Sequence, residues 1–471
     1  MKKALALCLA LTLVLGIGTA CLVKEQYDRR DDVTFEENVR LGDPSMMEGV
    51  QVDVNVTWDN RIFWRTRYSA GVDPTVKTEY EFADHKTYSE REFIPSGVQM
   101  ESYIEPHVHA VDLADPQAEL SDIGLAYWEL AERTPAGGYS EDSILLSDYY
   151  DYYPLSIGIE IDHYSTIWIN TEDREYFTDQ QWEIYQLFHD YFKVPILEGQ
   201  MYDIHLSKNE YGNVDTMGGG SGDSDEYHMF SHGVVTEDAC IFTINTDTNQ
   251  DRVVDTSQLP EGYGLYRMPY TYDGENMESF HAEKIEMVYP LQEGIFIQQI
   301  SLIDGGRKVE LITCEEDGTK IVCYLFDAES MELLQRFSFD KAYLYYVYHD
   351  DANGLTLLLF DDTLVLLQKN IDGLYDIVLD VPSGGDGLFY EIFSNNLSFT
   401  FDGERLLICT VLQKETYYMN YESAGFVLAA YNKDGMYYLA EYDSSLSTGH
   451  NGTMYNYDCH VLDGNGFDVS W

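Results

Sequence analysis

Basic residues are scarce in this chain of 471 residues, which has 28 lysines and arginines against 83 aspartates and glutamates. The formal net charge is therefore -55 at pH 7. A chain this negative repels phosphate backbones and anionic lipid headgroups. We predict that the protein has no nucleic-acid partner, and that its folded body does not adhere to an anionic membrane surface.

Cysteine is also sparse, and the residues beyond the N-terminal region are widely spaced: Cys240, Cys314, Cys323, Cys409 and Cys459. Disulfide frameworks and zinc sites use denser, regular spacings such as Cys-x-x-Cys, so both are disfavoured. Cys314 and Cys323 flank a turn at Asp317-Gly318. The sequence allows a disulfide between neighbouring strands at this pair, the alternative being two small core residues.

Charge is absent from Ala4 to Val23, which follow Lys2 and Lys3. Twenty such residues make about 30 Å of helix, the thickness of a hydrocarbon core, and a basic start before an apolar run is typical of an export segment. Three fates stay open. Cleavage after the small residues Gly18-Thr19-Ala20 would release a secreted protein, the same residues before Cys21 resemble a bacterial lipobox, and an uncut segment would act as an anchor.

Export predicts an extracytoplasmic body that is tethered to the cell membrane by a helix or by lipid on Cys21, with free secretion as the alternative. The N-terminal segment is then the only membrane contact, because the body is too acidic to bind anionic lipids. Residues 1–23 form this segment, and residues 24–45 are charged and lack apolar periodicity. We interpret residues 24–45 as an acidic linker.

Aromatic and β-branched residues are abundant in the rest of the chain, and turn signals interrupt them. Asp-Gly and Asn-Gly pairs recur from Asp273-Gly274 to Asp463-Gly464. Each pair favours a tight hairpin turn, because Asn, Asp and Gly tolerate positive φ. The C-terminal part of the chain is therefore predicted to form antiparallel meanders.

Groups of four strand-like runs recur along the chain, over Met201–Tyr270, Ile285–Phe339, Ala342–Val381 and Leu388–Ser445. Four-stranded units repeated every ~40 to 55 residues are typical of propeller blades. We therefore predict an all-β fold, a β-propeller built of four-stranded antiparallel blades over residues 196–471. Residues 46–195 are predicted to be β-rich, as further blades or as a separate β-sandwich.

A helix is predicted within that N-terminal half. Thr178 and Gln181 match a capping box, and four aromatic residues then recur at helical spacing: Trp182, Tyr185, Phe188 and Phe192. A second segment, from Asp115 to Glu132, is compatible with a helix or with a strand.

Two groups of residues have the composition of metal ligands. Asp247, Asn249 and Asp251 place oxygen ligands as in the first half of an EF-hand loop, although Arg252 replaces the turn glycine of that pattern. A Ca²⁺ site is one interpretation and a polar hairpin loop is the other. No other cofactor is predicted.

The second group is His107 and His109, which share one face if residues 105–110 form a strand. Glu105 lies on the same side, and a chance His-x-His in a chain with 12 histidines is the alternative.

A glycine-rich stretch, Met217 to Asp225, lacks the Lys-Ser/Thr of a phosphate loop and is predicted to be an exposed loop. Acidic residues are so frequent that carboxylate pairs alone do not identify a glycosidase. The tyrosine clusters at residues 149–153, 345–346 and 437–438 are stacking platforms or half-buried strand residues.

In texture, the chain resembles uncharacterised exported, lipoprotein-like proteins of Gram-positive bacteria, which combine a Lys-Lys export segment, an acidic linker and a propeller-like body. The resemblance assigns no functional residue. Our first hypothesis is a tethered binding or scaffolding module, without catalysis, for a protein, peptide or glycan. The alternatives are a hydrolase with an acidic site in the propeller channel, and a sensor domain of a membrane complex.

Overall fold

A computed structural model describes residues 11–21, 24, 28, 32–58, 62–82, 97–102, 122–160, 166–169, 177–220, 227–248, 257–271, 280–292, 295–315, 318–384, 397–416, 419–445, 459–461 and 467–471. The predicted β-rich fold is confirmed, because most of these residues lie in antiparallel strands. The chain divides into two compact units. Unit 1 contains residues 1–92 and 344–471, and unit 2 contains residues 93–343.

Residues 11–21 are helical, and the other α-helices among the described residues are α1 (Asp122–Arg133) and α2 (Asp179–Tyr191). The strands are, in chain order, β1 (Phe35–Leu41), β2 (Gln51–Trp58), β3 (Ile62–Ser69), β4 (Thr75–Phe82), β5 (Gly97–Ser102), β6 (Tyr139–Leu145), β7 (Leu155–Glu160), β8 (Thr166–Ile169), β9 (Met201–Lys208), β10 (Val214–Gly220), β11 (Tyr227–Val235), β12 (Ala239–Thr248), β13 (Gly264–Pro269), β14 (Glu286–Pro290), β15 (Phe296–Ile303), β16 (Lys308–Glu315), β17 (Lys320–Asp327), β18 (Leu333–Phe339), β19 (Leu344–Asp350), β20 (Leu355–Phe360), β21 (Thr363–Lys369), β22 (Tyr375–Pro382), β23 (Leu397–Phe401), β24 (Leu406–Thr416), β25 (Met419–Asn432), β26 (Gly435–Ser444), β27 (Cys459–Val461) and β28 (Phe467–Ser470).

The described residues of unit 1 form three antiparallel sheets. Sheet A has the order β27-β2-β3-β4, and β28 also pairs with β2; sheet B is β19-β20-β21-β22; sheet C is β1-β26-β25-β24-β23. Two of the predicted four-strand groups, over residues 342–381 and 388–445, are therefore confirmed as sheets B and C. Sheet A joins strands from both ends of the sequence, since β27 and β28 lie on β2.

Sheet C packs through both of its faces, and the period-2 alternation of strand side chains explains how. Leu407 of β24 is buried in a cluster with Val52 and Val54 of sheet A. Its neighbours Leu406 and Ile408 are buried in a different cluster, with the leucines of sheet B. The near-continuous apolar run of β24 is therefore the sequence of a strand covered on both sides.

The predicted linker over residues 24–45 is wrong at β1, which forms the fifth strand of sheet C against β26. Phe35, Glu37 and Val39 are half-buried, while Glu36 and Asn38 are exposed. The alternation is that of a strand with one buried face. An acidic residue occupies one inward position, which conceals the apolar periodicity in the sequence.

In unit 2, too, the part of the chain that the structure describes forms three sheets. Sheet D has the order β14-β13-β12-β11-β5-β7-β8, sheet E is β10-β9-β6, and sheet F is β15-β16-β17-β18. Sheet F confirms the predicted group over residues 285–339, apart from β14. Its inward side chains, such as Val309 and Leu311, pack against Ile241 and Leu265 of sheet D.

The predicted four-strand group over residues 201–270 is wrong. β9 pairs with β6 and β10 in sheet E, whereas β11, β12 and β13 belong to sheet D. The prediction failed because β10 is rich in glycine and therefore carries no strand signal in the sequence. Without β10, the next strand-like run, β11, was predicted to lie beside β9.

The predicted helix after Thr178 is confirmed as α2. The Thr178 hydroxyl accepts a hydrogen bond from the Gln181 backbone at 3.2 Å, and the Gln181 side chain accepts one from the Thr178 backbone at 2.9 Å. Ile184, Tyr185 and Phe188 bury one face of α2 in the core of sheet D. The described residues of the second segment, from Asp122 onward, are also helical, as α1, which packs on sheet E.

Cys240, Cys314, Cys323 and Cys409 are free thiols. A Cys314–Cys323 disulfide is therefore wrong: Cys314 lies opposite Ile321 and Cys323 lies opposite Ile312, so the two thiols are diagonal rather than paired. Burial raises the pKa of the Cys323 thiol well above its ordinary value, as expected for a core residue.

Candidate functional site

The candidate site is the outward side of sheet E, which we call the sheet E face. Strand register brings together its side chains, because Glu141 of β6 and Gly218 of β10 both lie opposite His205 of β9. The same register places one neighbour on each side of these positions. The full set is Tyr139, Glu141 and Ser143 on β6, Asp203, His205 and Ser207 on β9, and Thr216 and Gly218 on β10.

Alternation along β9 separates this face from the core. Tyr202, Ile204 and Leu206 are buried beneath α1, whereas Asp203 and His205 between them are exposed. One side of sheet E therefore holds the sheet on the helix, and the other side is polar and open to solvent. Sequence analysis found the strand but not the site, although the strict apolar-polar alternation of residues 201–207 was the available signal.

Hydrogen bonds within the face fix its side chains. The Tyr139 hydroxyl donates to the Glu141 carboxylate at 3.3 Å, and the Ser143 hydroxyl donates to the carboxylate of Asp203. Partial desolvation, together with the charge of Glu141, raises the pKa of Tyr139, so its hydroxyl stays protonated at neutral pH. Each carboxylate thus keeps acceptor capacity for a ligand while a neighbouring hydroxyl orients it.

The rings of Tyr139 and His205 lie side by side, with centroids 6.1 Å apart and an interplanar angle of 31°. Gly218 makes room for the imidazole, because a Cβ atom at that position would lie 2.9 Å from both Cε1 and Nε2 of His205. The Tyr139 side of the pair is accessible, since this residue is 59% exposed. The face therefore presents a flat aromatic area beside two carboxylates.

The glycines of β10 correct the prediction of an exposed loop for residues 217–225. Residues 217–220 belong to β10; residues 221–225 lie outside the described residues. A Cβ atom on Gly219 would lie 2.4 Å from the Tyr127 hydroxyl and 2.6 Å from the Tyr202 ring. Glycine in a strand often marks such a close approach, and here it lets buried tyrosines of α1 and β9 reach the backbone of β10.

A concave surface lies in unit 1, where a groove of 490 Å³ is lined by the end of β1, the end of β22 and the β25–β26 turn. Leu41, Pro382, Met436 and Leu439 supply apolar walls. Arg40, which also lines the groove, forms an ion pair with Glu441. The groove has the size of a few side chains, and Asp434 also lines it.

Of the residues that the sequence predicts as metal ligands, the structure describes Asp247 alone. His107, His109, Asn249 and Asp251 lie outside the described residues. Asp247 lies in β12 with its backbone opposite His228, so it is part of a strand rather than of a loop. Among the residues that the structure does describe, no three His, Cys, Asp or Glu side chains cluster as a metal site. The Ca²⁺ and histidine sites stay predictions.

Cys21, the predicted lipidation site, is exposed at the end of the helical residues 11–21. The apolar side chains of this helix are also exposed, including Leu13, Leu15 and Ile17 at 60% or more. The part of the chain that the structure describes contains no helix with the length and hydropathy of a membrane span.

The fold and face together define a mostly antiparallel β protein with a polar, aromatic face exposed on a small sheet. No family model matches the chain, and no curated protein matches it. Among solved structures it is similar to a provisionally named 6-phosphogluconolactonase from Bacteroides uniformis, with 12% identity over 84% of this chain and 99% of the other, at a TM-score of 0.26. It is also similar to a protein from Lactobacillus plantarum, with 9% identity, 84% and 96% coverage and a TM-score of 0.26.

A periplasmic gluconolactonase from Pseudomonas aeruginosa shows 10% identity over 71% of this chain and 98% of its own, with a TM-score of 0.22. No activity follows for this chain from scores this low.

Proposed function

We propose that the protein is a membrane-tethered, extracytoplasmic binding module that holds its ligand on the sheet E face. The observation that carries the proposal is the composition of this face, where an exposed tyrosine ring lies beside two oriented carboxylates. The hydrolase and sensor alternatives stay predictions.

The body of this module is proposed to be a β-propeller. Within unit 1, sheets B, C and A stack face to face in that order, and within unit 2 sheet F stacks on sheet D. Such successive stacking of antiparallel sheets is what blades do around a propeller axis. Sheet A also contains strands that are distant in the sequence, because β27 and β28 pair with β2.

The tether is proposed to be the N-terminal segment. Its helical residues 11–21 expose apolar side chains on all sides, which costs about 25 cal/mol per Å² in water and is relieved by lipid. Cleavage and acylation at Cys21 would replace the helix by a lipid at the same point of the chain. Cys21→Ala is expected to release the protein from membranes if lipid is the tether, and to leave it bound if the uncut helix is.

Photocrosslinking in intact cells tests the binding function. A photoreactive phenylalanine analogue is placed at Tyr139 and, as the matched control, at Tyr211, which is 89% exposed beyond the end of β9. We expect discrete adducts from position 139 that disappear in the Glu141→Gln variant, and none of these from position 211. Identical adduct patterns from both positions would contradict the proposal.

A further inference from the structure

We infer that the ligand of the sheet E face is a cationic segment of a protein, with lysine or arginine at alternate positions of an extended chain. The inference rests on the proposed binding function and names its ligand class. The positions that carry it are Tyr139, Glu141 and Asp203, which share one side of sheet E.

Charge complementarity is the first argument. Neither Glu141 nor Asp203 forms an ion pair within the described residues, and their only side-chain partners in the face are hydroxyls. A hydroxyl donor leaves the charge of a carboxylate uncompensated. The chain as a whole carries a charge of -55, so its field attracts cations toward the surface and repels anions from it.

The exposed aromatic ring is the second, independent argument. A lysine or arginine that lies over a tyrosine ring is attracted to the π face of that ring. Tyr139 is 59% exposed and donates its hydroxyl to Glu141, so the π face of the ring and the carboxylate are available to the same cation. The ring therefore favours a lysine or arginine side chain over a cation that only neutralises the carboxylate.

Spacing supplies the third argument. Glu141 lies opposite His205 and Asp203 lies opposite Ser143, so the two acidic residues are diagonal neighbours, with Cα atoms about 7–8 Å apart. Alternate residues of an extended peptide are separated by roughly 6.6–6.8 Å on one side. A segment with cations at positions i and i+2 therefore reaches both carboxylates without bending.

The test uses the full chain in uncharged detergent micelles and a fluorescein-labelled peptide of alternating lysine and serine, with a glutamate–serine peptide as the reference. Fluorescence anisotropy gives the affinity at several salt concentrations. The face variant is Glu141→Gln with Asp203→Asn. The matched control is Glu210→Gln with Asp215→Asn, which removes two exposed charges from the same sheet region but not from the face.

We expect the face variant to weaken binding of the lysine peptide about fivefold or more, since each exposed charge pair contributes up to about 1 kcal/mol. The control variant should change it less than twofold, and the glutamate peptide should not bind. Tyr139→Phe should retain the affinity within twofold, because the ring is kept, whereas Tyr139→Ala should lose it several-fold.

Equal losses in the face and control variants would overturn the inference, since the peptide would then respond only to total acidity. So would a lysine peptide that fails to bind. Either result leaves the proposed binding function intact if the crosslinks from position 139 persist. A saccharide in those adducts would show that the ligand is a glycan rather than a cationic protein segment. Loss of the position-specific crosslinks refutes the binding function itself.

Discussion

Glu37 is expected to stabilise unit 1 by holding β1 on sheet C. Its carboxylate oxygen Oε1 accepts hydrogen bonds from the Tyr438 hydroxyl at 2.9 Å and from the Tyr442 hydroxyl at 2.8 Å. The two hydroxyls are 2.7 Å apart, and both tyrosines are fully buried. Replacement by alanine therefore leaves two buried phenols without their acceptor.

The magnitude follows from these contacts. A hydrogen bond to a charged acceptor contributes about 1.5–3 kcal/mol, and Glu37 is half-buried, so the lower end applies to each bond. The two tyrosines retain one bond to each other in the variant. We therefore expect Glu37→Ala to lower the free energy of unfolding by about 2–3 kcal/mol, and Glu37→Gln, which keeps a neutral acceptor, by about 1 kcal/mol.

Urea unfolding of the full chain measures this loss, and hydrogen exchange of residues 435–444 localises it to β26. The matched control is Glu36→Ala, which removes the same charge from the exposed side of β1 and should change stability by less than about 0.5 kcal/mol. A double-mutant cycle with Tyr442→Phe should show coupling of about 1 kcal/mol. Equal effects of the Glu37 and Glu36 variants would refute the role of the buried hydrogen bonds.

Three further predictions concern stability. Thr178→Ala removes the N-cap of α2 and should lower the free energy of unfolding, measured by thermal melting, by about 1 kcal/mol. Thr178→Asn keeps a capping side chain and should leave the free energy of unfolding unchanged. Gly219→Ala forces a Cβ atom against the Tyr127 hydroxyl and should cost about 1–3 kcal/mol in urea unfolding; Gly220→Ala, which meets nothing within 4 Å, is the control. Burial raises the pKa of Tyr442 above its ordinary 10, so the unfolded chain loses this proton first. Stability should be full below about pH 10 and fall above it, and Tyr442→Phe should reduce that slope by about 1.4 kcal/mol per pH unit.

Local signals explain the part of the fold that the sequence predicts. Sheets B and F are meanders of neighbouring strands, and their turns include Asn353-Gly354 and Asp304-Gly305. Gly354 and both residues of the second pair adopt positive φ, which is the property that makes such pairs turn signals. α2 was likewise predicted because its cap and its apolar face lie within one short segment.

Long-range pairing explains most of the remainder. β5 pairs with β11, and β2 pairs with β28; pairings of this kind depend on register between distant segments, which no local pattern encodes. The sheet E face required two such facts, the pairing of β6 with β9 and the course of β10. In the sequence its residues are ordinary polar positions, and only the strand register shows that they lie side by side.

In a chain with 83 acidic residues, strand parity distinguishes the acids that point toward a core from those that face solvent, where the proposed ligand would bind. Glu37 occupies an inward position and meets buried tyrosine hydroxyls. Glu141 occupies an outward position and meets one exposed tyrosine. The two glutamates are therefore expected to give opposite results in the same pair of assays.

Glu37→Gln should lower the urea midpoint while the lysine peptide still binds with unchanged affinity in the absence of urea. Glu141→Gln should weaken peptide binding and leave the urea midpoint unchanged, since an exposed hydroxyl loses little when its acceptor becomes neutral. If both variants changed both the urea midpoint and the peptide affinity, strand parity would not distinguish acids that stabilise the fold from acids that bind the peptide. If each variant changes only its own quantity, parity identifies which of the remaining acids to test for binding.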